Sequence, residues 1–444
     1  MEFLYILTTF IIFISYNLIV IYSFKLEFPL RPYNILFVLI FIYSLSVPFY
    51  FNVHGSTYYG EEYSESNYFS YYLTCLGSLF SLTITDIIFI KKYKILSSIK
   101  YSPLILSSYT TLTLVILFLF FFLIKISSFN IFNVISYSEN ALLPRELART
   151  NKFSGIEDIF FEQIPFFFIF TTTFLLIWKK GFVRFVWILI AFYIIAIAFL
   201  SGSRGYILQV ILPFVIFIFY RNKNFKSFYI FIFFLIGIAF SNFIEVFRSI
   251  SVFEVKDLFD LFTENSFNLK YIIASSGELA VSVNLLKLIK EIDISSELFQ
   301  YGLSFLEQLS TFVPNAFLPF RPLIASEKFV YLFYNNVYNI GGGYGFFILQ
   351  DGYWDFGILG SMFSMSFFLV LLNFIFLFLY KKFKEGSVIH FFLFVLFIKN
   401  LVIFSVRSGI IASLKALWID LIPLFVFFIL IYFLNLLFWK KSLK

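Results

Sequence analysis

The sequence predicts an all-α polytopic membrane protein with about eleven transmembrane helices and one large extracytoplasmic loop domain. Of its 444 residues, 61% are hydrophobic and 13% are charged, whereas a soluble globular domain carries about 25% charged residues. Apolar runs of about 20 residues recur through most of the chain, and a run of that length crosses a hydrocarbon core of about 30 Å as a helix. We therefore expect a multi-pass protein of the inner-membrane type.

The formal net charge of +7 would suggest a nucleic-acid partner in a soluble protein. Here the Lys and Arg residues lie between apolar runs, where they act as topology signals, so no nucleic-acid partner is expected. Cys75 is the single cysteine, and the two histidines are His54 and His390. Neither a disulfide framework nor a Cys/His metal site can be assembled from them, and we expect no metal and no cofactor.

Hydropathy predicts the individual spans in order along the chain. The first run lacks a basic leader and a small-residue cleavage site, so it is predicted to be a retained span rather than a signal peptide. The predicted spans are 3–24, 33–51, 68–90, 104–126, 159–178, 182–200, 206–220, 227–246, 357–380, 388–406 and 417–438.

Alternate connections between these spans are strongly basic, which predicts that they face the cytoplasm. The intervening connections are acidic or nearly balanced in charge, and they are predicted to lie outside. This orientation puts the N-terminus outside and the C-terminus inside. The basic residues are Lys91, Lys92, Lys94, Lys100, Lys179, Lys180, Arg184, Arg221, Lys223, Lys226, Lys381, Lys382, Lys384, Lys440, Lys441 and Lys444.

The segment 247–354 breaks the alternation and divides the chain into helices 1–8 (1–246), a large periplasmic loop domain (247–354) and helices 9–11 (355–444). It is long, carries 11 of the 26 acidic residues, and contains three prolines and the run Gly341 to Gly343. Within it, Gly277 to Ile292 places apolar residues at helical intervals. We expect an amphipathic helix there that lies on the membrane or caps a cavity.

Arg204 lies in the stretch Ser201 to Gly205, between two predicted spans and on the side where the topology rule disfavours positive charge. Small neighbours such as Gly205 let backbone N–H groups approach an anion, and the following helix N-terminus would point at the same anion. Phosphate is the anion we expect. The alternative is an arginine that extends its side chain to the lipid headgroups.

Arg248, Arg321 and Arg407 are predicted on the same face as Arg204. Four arginines there indicate an anionic ligand, because the planar guanidinium group binds phosphate in a bidentate manner. Each could instead be an ion-pair partner, as Glu245 could be for Arg248.

Asp351 and Asp355 directly precede a predicted span and are spaced i, i+4, so a helix would carry both on one face. One role is to stabilise the N-terminus of that helix; the other is general-base catalysis. Glu278, which begins the amphipathic stretch, is a further candidate for the base.

Two parts of the chain resemble bacterial O-antigen polymerases of the Wzy type: Ser201 to Gly205 after a mid-chain span, and Gly341 to Gly343 followed by Asp351 to Gly360. Tyr301 to Phe305, and the proline-rich turn that ends at Pro322, add to the resemblance. It implies a GT-C-like helical fold and a glycosyltransferase that joins repeat units carried on undecaprenyl pyrophosphate at the periplasmic face.

The resemblance also implies roles and partners. The four arginines and Gly205 would bind the pyrophosphate, Tyr344 and Tyr353 would contact the substrate, and Asp351 or Glu278 would orient or deprotonate the acceptor hydroxyl. The expected partners are lipid-linked oligosaccharide donor and acceptor, membrane lipids and a chain-length regulator protein.

Two other functions remain open at this point. An O-antigen ligase uses a histidine in its large periplasmic loop, but no His occurs between Phe247 and Trp354. A flippase or other transporter of lipid-linked oligosaccharides would line a central cavity with charge and have short loops, whereas this chain has an outer segment of about 100 residues.

Overall fold

Within the residues described below, the regular secondary structure of the computed structural model is helical, apart from one two-residue ladder in which Thr57–Tyr58 pairs antiparallel with Glu61–Glu62. The all-α prediction is confirmed for the residues that the structure describes. These are residues 2–24, 31–54, 57–58, 61–97, 99, 212–213, 215–216, 279–312, 322–339 and 345–439.

Nine helices of two turns or more are present in this part of the chain. They are α1 Glu2–Phe24, α2 Pro32–His54, α3 Glu65–Ser97, α4 Val283–Ile294, α5 Leu303–Ser310, α6 Ala325–Phe333, α7 Ile348–Lys384, α8 Val388–Leu396 and α9 Ile410–Trp439. A π-helix, Phe397–Phe404, and a single turn, Ser405–Ser408, continue α8. Shorter helical pieces are Leu279–Ser282, Ser296–Leu298 and Asn335–Asn339.

Three of the described helical stretches are long and apolar enough to cross a membrane: Glu65–Leu96, Ile348–Lys384 and Ile389–Ser408. Shorter apolar helices occur at Leu4–Val20 and Pro32–Val47. Helices thus lie at six predicted spans. The spans at 104–126, 159–178, 182–200 and 227–246, and most of 206–220, fall outside the described residues, so the number eleven stays a prediction.

The most extensive helix interface joins α3 and α7. It is close because a small residue of α3 faces a bulky residue of α7: a Cβ atom added at Gly77 would lie 2.9 Å from the sulfur of Met362. One turn further along α3, the Ser81 hydroxyl donates to the Met362 carbonyl at 2.6 Å. Small residues allow this approach between apolar helices, where lipid gives little hydrophobic driving force for association.

A buried ion pair joins the first three helices to α7. Arg31 donates to Asp86 at 2.8 Å, and both side chains are almost fully buried. Tyr16 also donates to Asp86, as does Asn373 at 3.4 Å, and Tyr93 donates to Asn373 at 2.6 Å. Since both carboxylate oxygens of Asp86 accept hydrogen bonds and the Arg31 guanidinium is paired with that carboxylate, this cluster fixes the four helices relative to one another.

The helix predicted within Gly277 to Ile292 is present as α4, but it is packed inside the protein and not on its surface. Its expected role in capping a cavity stays a prediction. Every residue from Val283 to Ile289 is buried, and α4 lies against α3 and α7. Two of its polar groups have partners inside the protein: Lys287 pairs with Glu291 at 2.6 Å, and the Asn284 amide nitrogen donates to the Gly345 carbonyl at 2.8 Å. Burial of these two donors is therefore tolerated. The Asn284 amide oxygen is buried without a hydrogen-bond partner among the described residues.

Helix α7 is folded back on itself near its start. Phe356 and Gly357 have non-helical backbone angles, with φ of +63° at Gly357, and they divide α7 into a short arm (348–355) and a long arm (358–384). In a straight helix, residues eight apart are separated by about 12 Å. Here a Cβ atom added at Gly352 would lie 2.2 Å from the Gly360 carbonyl oxygen, and Ser361 donates to the Leu349 carbonyl at 2.7 Å. The short arm therefore runs back along the long arm.

Candidate functional site

The candidate site lies where the short arm of α7 meets the junction between Ser405–Ser408 and α9. The Phe346 N–H donates to the Arg407 carbonyl at 2.7 Å. A Cβ atom added at Gly345 would lie 2.5 Å from Val281 and 3.2 Å from Cγ of Arg407. Glycine is thus required at position 345, because the backbone there passes between two side chains.

Asp351 lies in the first turn of the short arm, with its carboxylate directed at the start of α9. Its Oδ2 atom accepts the Ile410 N–H at 2.6 Å, and Gln308 of α5 donates to its Oδ1 atom at 3.5 Å. The side chain is buried, with 1% of its surface exposed. Asp351 therefore occupies the capping position of a helix that begins 59 residues later in the chain.

Asp355 does the same for α5. Its two carboxylate oxygens accept the Gly302 N–H at 3.0 Å and the Ser304 hydroxyl at 2.6 Å. Gly302 precedes α5 with φ of +88° and has no side chain with which to cap the helix. The carboxylate from the short arm replaces the missing cap.

The expectation that one of these carboxylates stabilises the start of its own helix is therefore corrected. At the start of α7, the Gln350 side chain accepts the Phe347 N–H at 2.7 Å. Asp351 and Asp355 instead stabilise the N-termini of two other helices. The short arm consequently joins α5 to α9 through two carboxyl groups that accept hydrogen bonds, four residues apart.

Arg407 lies at the end of the single turn Ser405–Ser408, and its side chain is exposed. Its aliphatic portion lies over Gly345, while its backbone carbonyl is fixed by Phe346. An exposed guanidinium can donate two parallel hydrogen bonds to an anion such as phosphate.

Tyr353, predicted to contact substrate, lies in the short arm and is buried, with 5% of its surface exposed.

Of the predicted site residues, the structure brings together Asp351 and the backbone of Arg407. Tyr353 is described as well, and the other six lie outside the described residues: Arg204, Gly205, Arg248, Glu278, Arg321 and Tyr344. The glycine run Gly341 to Gly343 lies outside them too, although Gly345, two residues after the run, is at the centre of the site.

Sequence reasoning missed a second polar cluster, at the π-helix. Asp420 of α9 accepts hydrogen bonds from Lys399 at 2.9 Å and from Asn400 at 2.7 Å. The available signal was the presence of Lys399 and Asp420 inside predicted spans, since charges within a membrane helix are costly without partners. Asp86 gives the same signal, because it lies inside the third predicted span and therefore needs a partner; in the structure that partner is Arg31.

Comparison with known proteins identifies the family to which this chain belongs. Searches of curated proteins and of solved structures return no significant match. A family model described as O-antigen polysaccharide polymerase Wzy matches residues 1–442. This match confirms the resemblance found in the sequence motifs, and it favours the polymerase over the flippase and ligase alternatives. The chain belongs to the O-antigen polysaccharide polymerase Wzy family, and is thus a polytopic membrane enzyme that polymerises polysaccharide from lipid-linked repeat units.

Proposed function

We propose that this enzyme elongates a glycan at the periplasmic face of the bacterial inner membrane, with undecaprenyl pyrophosphate as the lipid carrier. A hydroxyl group of the acceptor repeat unit attacks the anomeric carbon of the donor glycan. The bond from that carbon to the pyrophosphate oxygen breaks, the carrier leaves as undecaprenyl pyrophosphate, and the hydroxyl proton is released. The predicted orientation, with basic loops in the cytoplasm, supports the periplasmic assignment.

The observation that carries the proposal is the exposed Arg407 beside the glycine-rich backbone at Gly345. Negative charge develops on the pyrophosphate as it leaves, and a fixed guanidinium stabilises that charge without a metal. We propose that Arg407 binds the pyrophosphate together with Arg204, Arg248 and Arg321, with Gly205 allowing close backbone approach.

The remaining predicted residues act on the sugars in this proposal. Glu278 orients or deprotonates the acceptor hydroxyl, since Asp351 is buried and already accepts two hydrogen bonds. Tyr344 and Tyr353 contact the glycan or support the residues that do. A chain-length regulator is the proposed protein partner, and a GT-C-like arrangement of about eleven spans is the proposed architecture.

The test is reconstitution of the purified protein with lipid-linked repeat units. Wild-type protein should produce longer glycans; translocation without elongation would contradict the proposal and favour a transporter. Arg407→Ala should lower kcat/KM for the donor at least about tenfold. Arg407→Lys should restore only part of that loss, because an ammonium lacks the planar fork.

Lys382→Ala is the matched control. Lys382 is an exposed cation paired with Glu385 at 2.9 Å, at the opposite end of α7 from the site. Its removal should leave elongation unchanged. Equal effects of the Arg407 and Lys382 substitutions would show that the loss reflects general charge and not pyrophosphate binding.

A further inference from the structure

We propose that Asp351 is a positioning residue that acts through Arg407: its carboxylate caps α9 and so fixes the backbone that presents the Arg407 guanidinium. This inference rests on the proposed role of Arg407 in binding pyrophosphate. It assigns to Asp351 a task different from that of the general base expected from the sequence.

The start of α9 needs an acceptor from elsewhere in the chain. The residue before Ile410 is Gly409, which has no side chain to accept the first free N–H groups of the helix. Asp351 supplies that acceptor at 2.6 Å. A charged acceptor at a helix N-terminus also interacts favourably with the helix dipole.

Gly409 and Asp351 are matched to each other. A Cβ atom added at Gly409 would lie 2.7 Å from Oδ2 of Asp351 and 3.2 Å from the ring of Phe346. The backbone at Gly409 also has φ of +84°, which side chains rarely adopt. The carboxylate can thus reach the Ile410 N–H because position 409 is glycine.

Gly409, where Asp351 caps α9, lies two residues after Arg407. The backbone of Arg407 is held by Phe346, which belongs to the same stretch of chain as Asp351. The Phe346 N–H donates to the Arg407 carbonyl at 2.7 Å, and the Gly409 N–H donates to the Ser405 carbonyl at 2.9 Å. Phe346 and Asp351 are five residues apart, so one stretch of chain holds the backbone at the Arg407 carbonyl and again three residues later, at the Ile410 N–H. Loss of the Asp351 acceptor would release one of these two attachments.

Asparagine distinguishes capping from base catalysis. The amide oxygen of Asp351→Asn can accept the Ile410 N–H, and the amide of Gln308 can rotate to accept from the new NH₂ group. Asparagine has no carboxylate to take a proton, so loss of a base costs about 10²-fold or more. Asp351→Ala removes both functions.

The experiment measures donor KM and kcat for elongation by the full-length reconstituted enzyme, with thermal melting to verify folding. We expect Asp351→Asn to keep kcat/KM within about fivefold of wild type, and Asp351→Ala to raise the donor KM about tenfold. A larger loss in folded Asp351→Asn, or an unchanged donor KM in folded Asp351→Ala, would overturn the inference. If Asp351→Ala does not fold, Asp351→Asn decides alone.

The double variant tests whether Asp351 acts through Arg407. Asp351→Ala/Arg407→Ala should match Arg407→Ala within about twofold, because the positioned group is already absent. If the loss in the double variant equals the product of the two single-variant losses, Asp351 and Arg407 act independently, and the positioning role is refuted. If instead wild-type protein elongates glycans and Arg407→Ala is fully active, the proposed pyrophosphate role of Arg407 fails, and Asp351→Asn still reports separately on capping.

Discussion

Replacing Gly352 with alanine tests the fold-back of α7 at its closest contact. The added Cβ atom would lie 2.2 Å from the Gly360 carbonyl oxygen and 2.4 Å from Oγ of Ser364. Ordinary contact begins at 3.4 Å, so the two arms must separate by about 1.2 Å to accept one methyl group. The obstacle is backbone, which cannot rotate away as a side chain can.

The expected cost is at the upper end of the range for overpacked sites, about 3 kcal/mol. Gly77→Ala is the matched control, since its Cβ atom would meet the flexible side chain of Met362 at 2.9 Å. That substitution should cost about 1 kcal/mol or less, because methionine has three rotatable bonds. The two variants therefore make the same chemical change against different obstacles.

The assay is thermal unfolding of the purified proteins in detergent, together with glycan elongation. We expect a clear drop in melting temperature and in elongation for Gly352→Ala, and near wild-type behaviour for Gly77→Ala. The reasoning is refuted if both variants melt at the same temperature, since the short arm would then not be held against the long arm in the folded protein.

Two further substitutions test the buried polar contacts. Asp86→Ala should destabilise the protein by about 3–5 kcal/mol in thermal or chemical unfolding, because it leaves Arg31 buried without its partner; the exposed Glu385→Ala should leave melting unchanged, and equal effects would contradict the argument. Asp355→Ala should cost about 1 kcal/mol and speed hydrogen exchange across Leu303–Ser310, because α5 loses its cap; unchanged exchange in that helix would show that Asp355 does not cap it.

The helical class and the positions of several spans could be predicted because they depend on local composition. Apolar runs and basic connections are readable in windows of about 20 residues. The kink at Gly357 could not be read in this way. Gly352 and Gly360 are ordinary residues of an apolar helix by sequence, and their contact depends on backbone angles at two intervening positions.

The site was predictable in its residue types but not in its connections. The i, i+4 spacing correctly drew attention to Asp351 and Asp355, but their acceptor roles depend on Ile410 and Gly302, which are more than 50 residues away. Spacing along one helix cannot indicate which distant helix lacks its own cap.

Because α7 folds back on itself, its total length does not indicate how much of it crosses the membrane. A straight helix of 37 residues would extend about 55 Å, nearly twice the hydrocarbon core of about 30 Å. With the short arm returning alongside, the crossing is left to 358–384, about 40 Å. The short arm adds length without changing the parity of crossings, so every residue after α7 keeps the sidedness that a single span would give it.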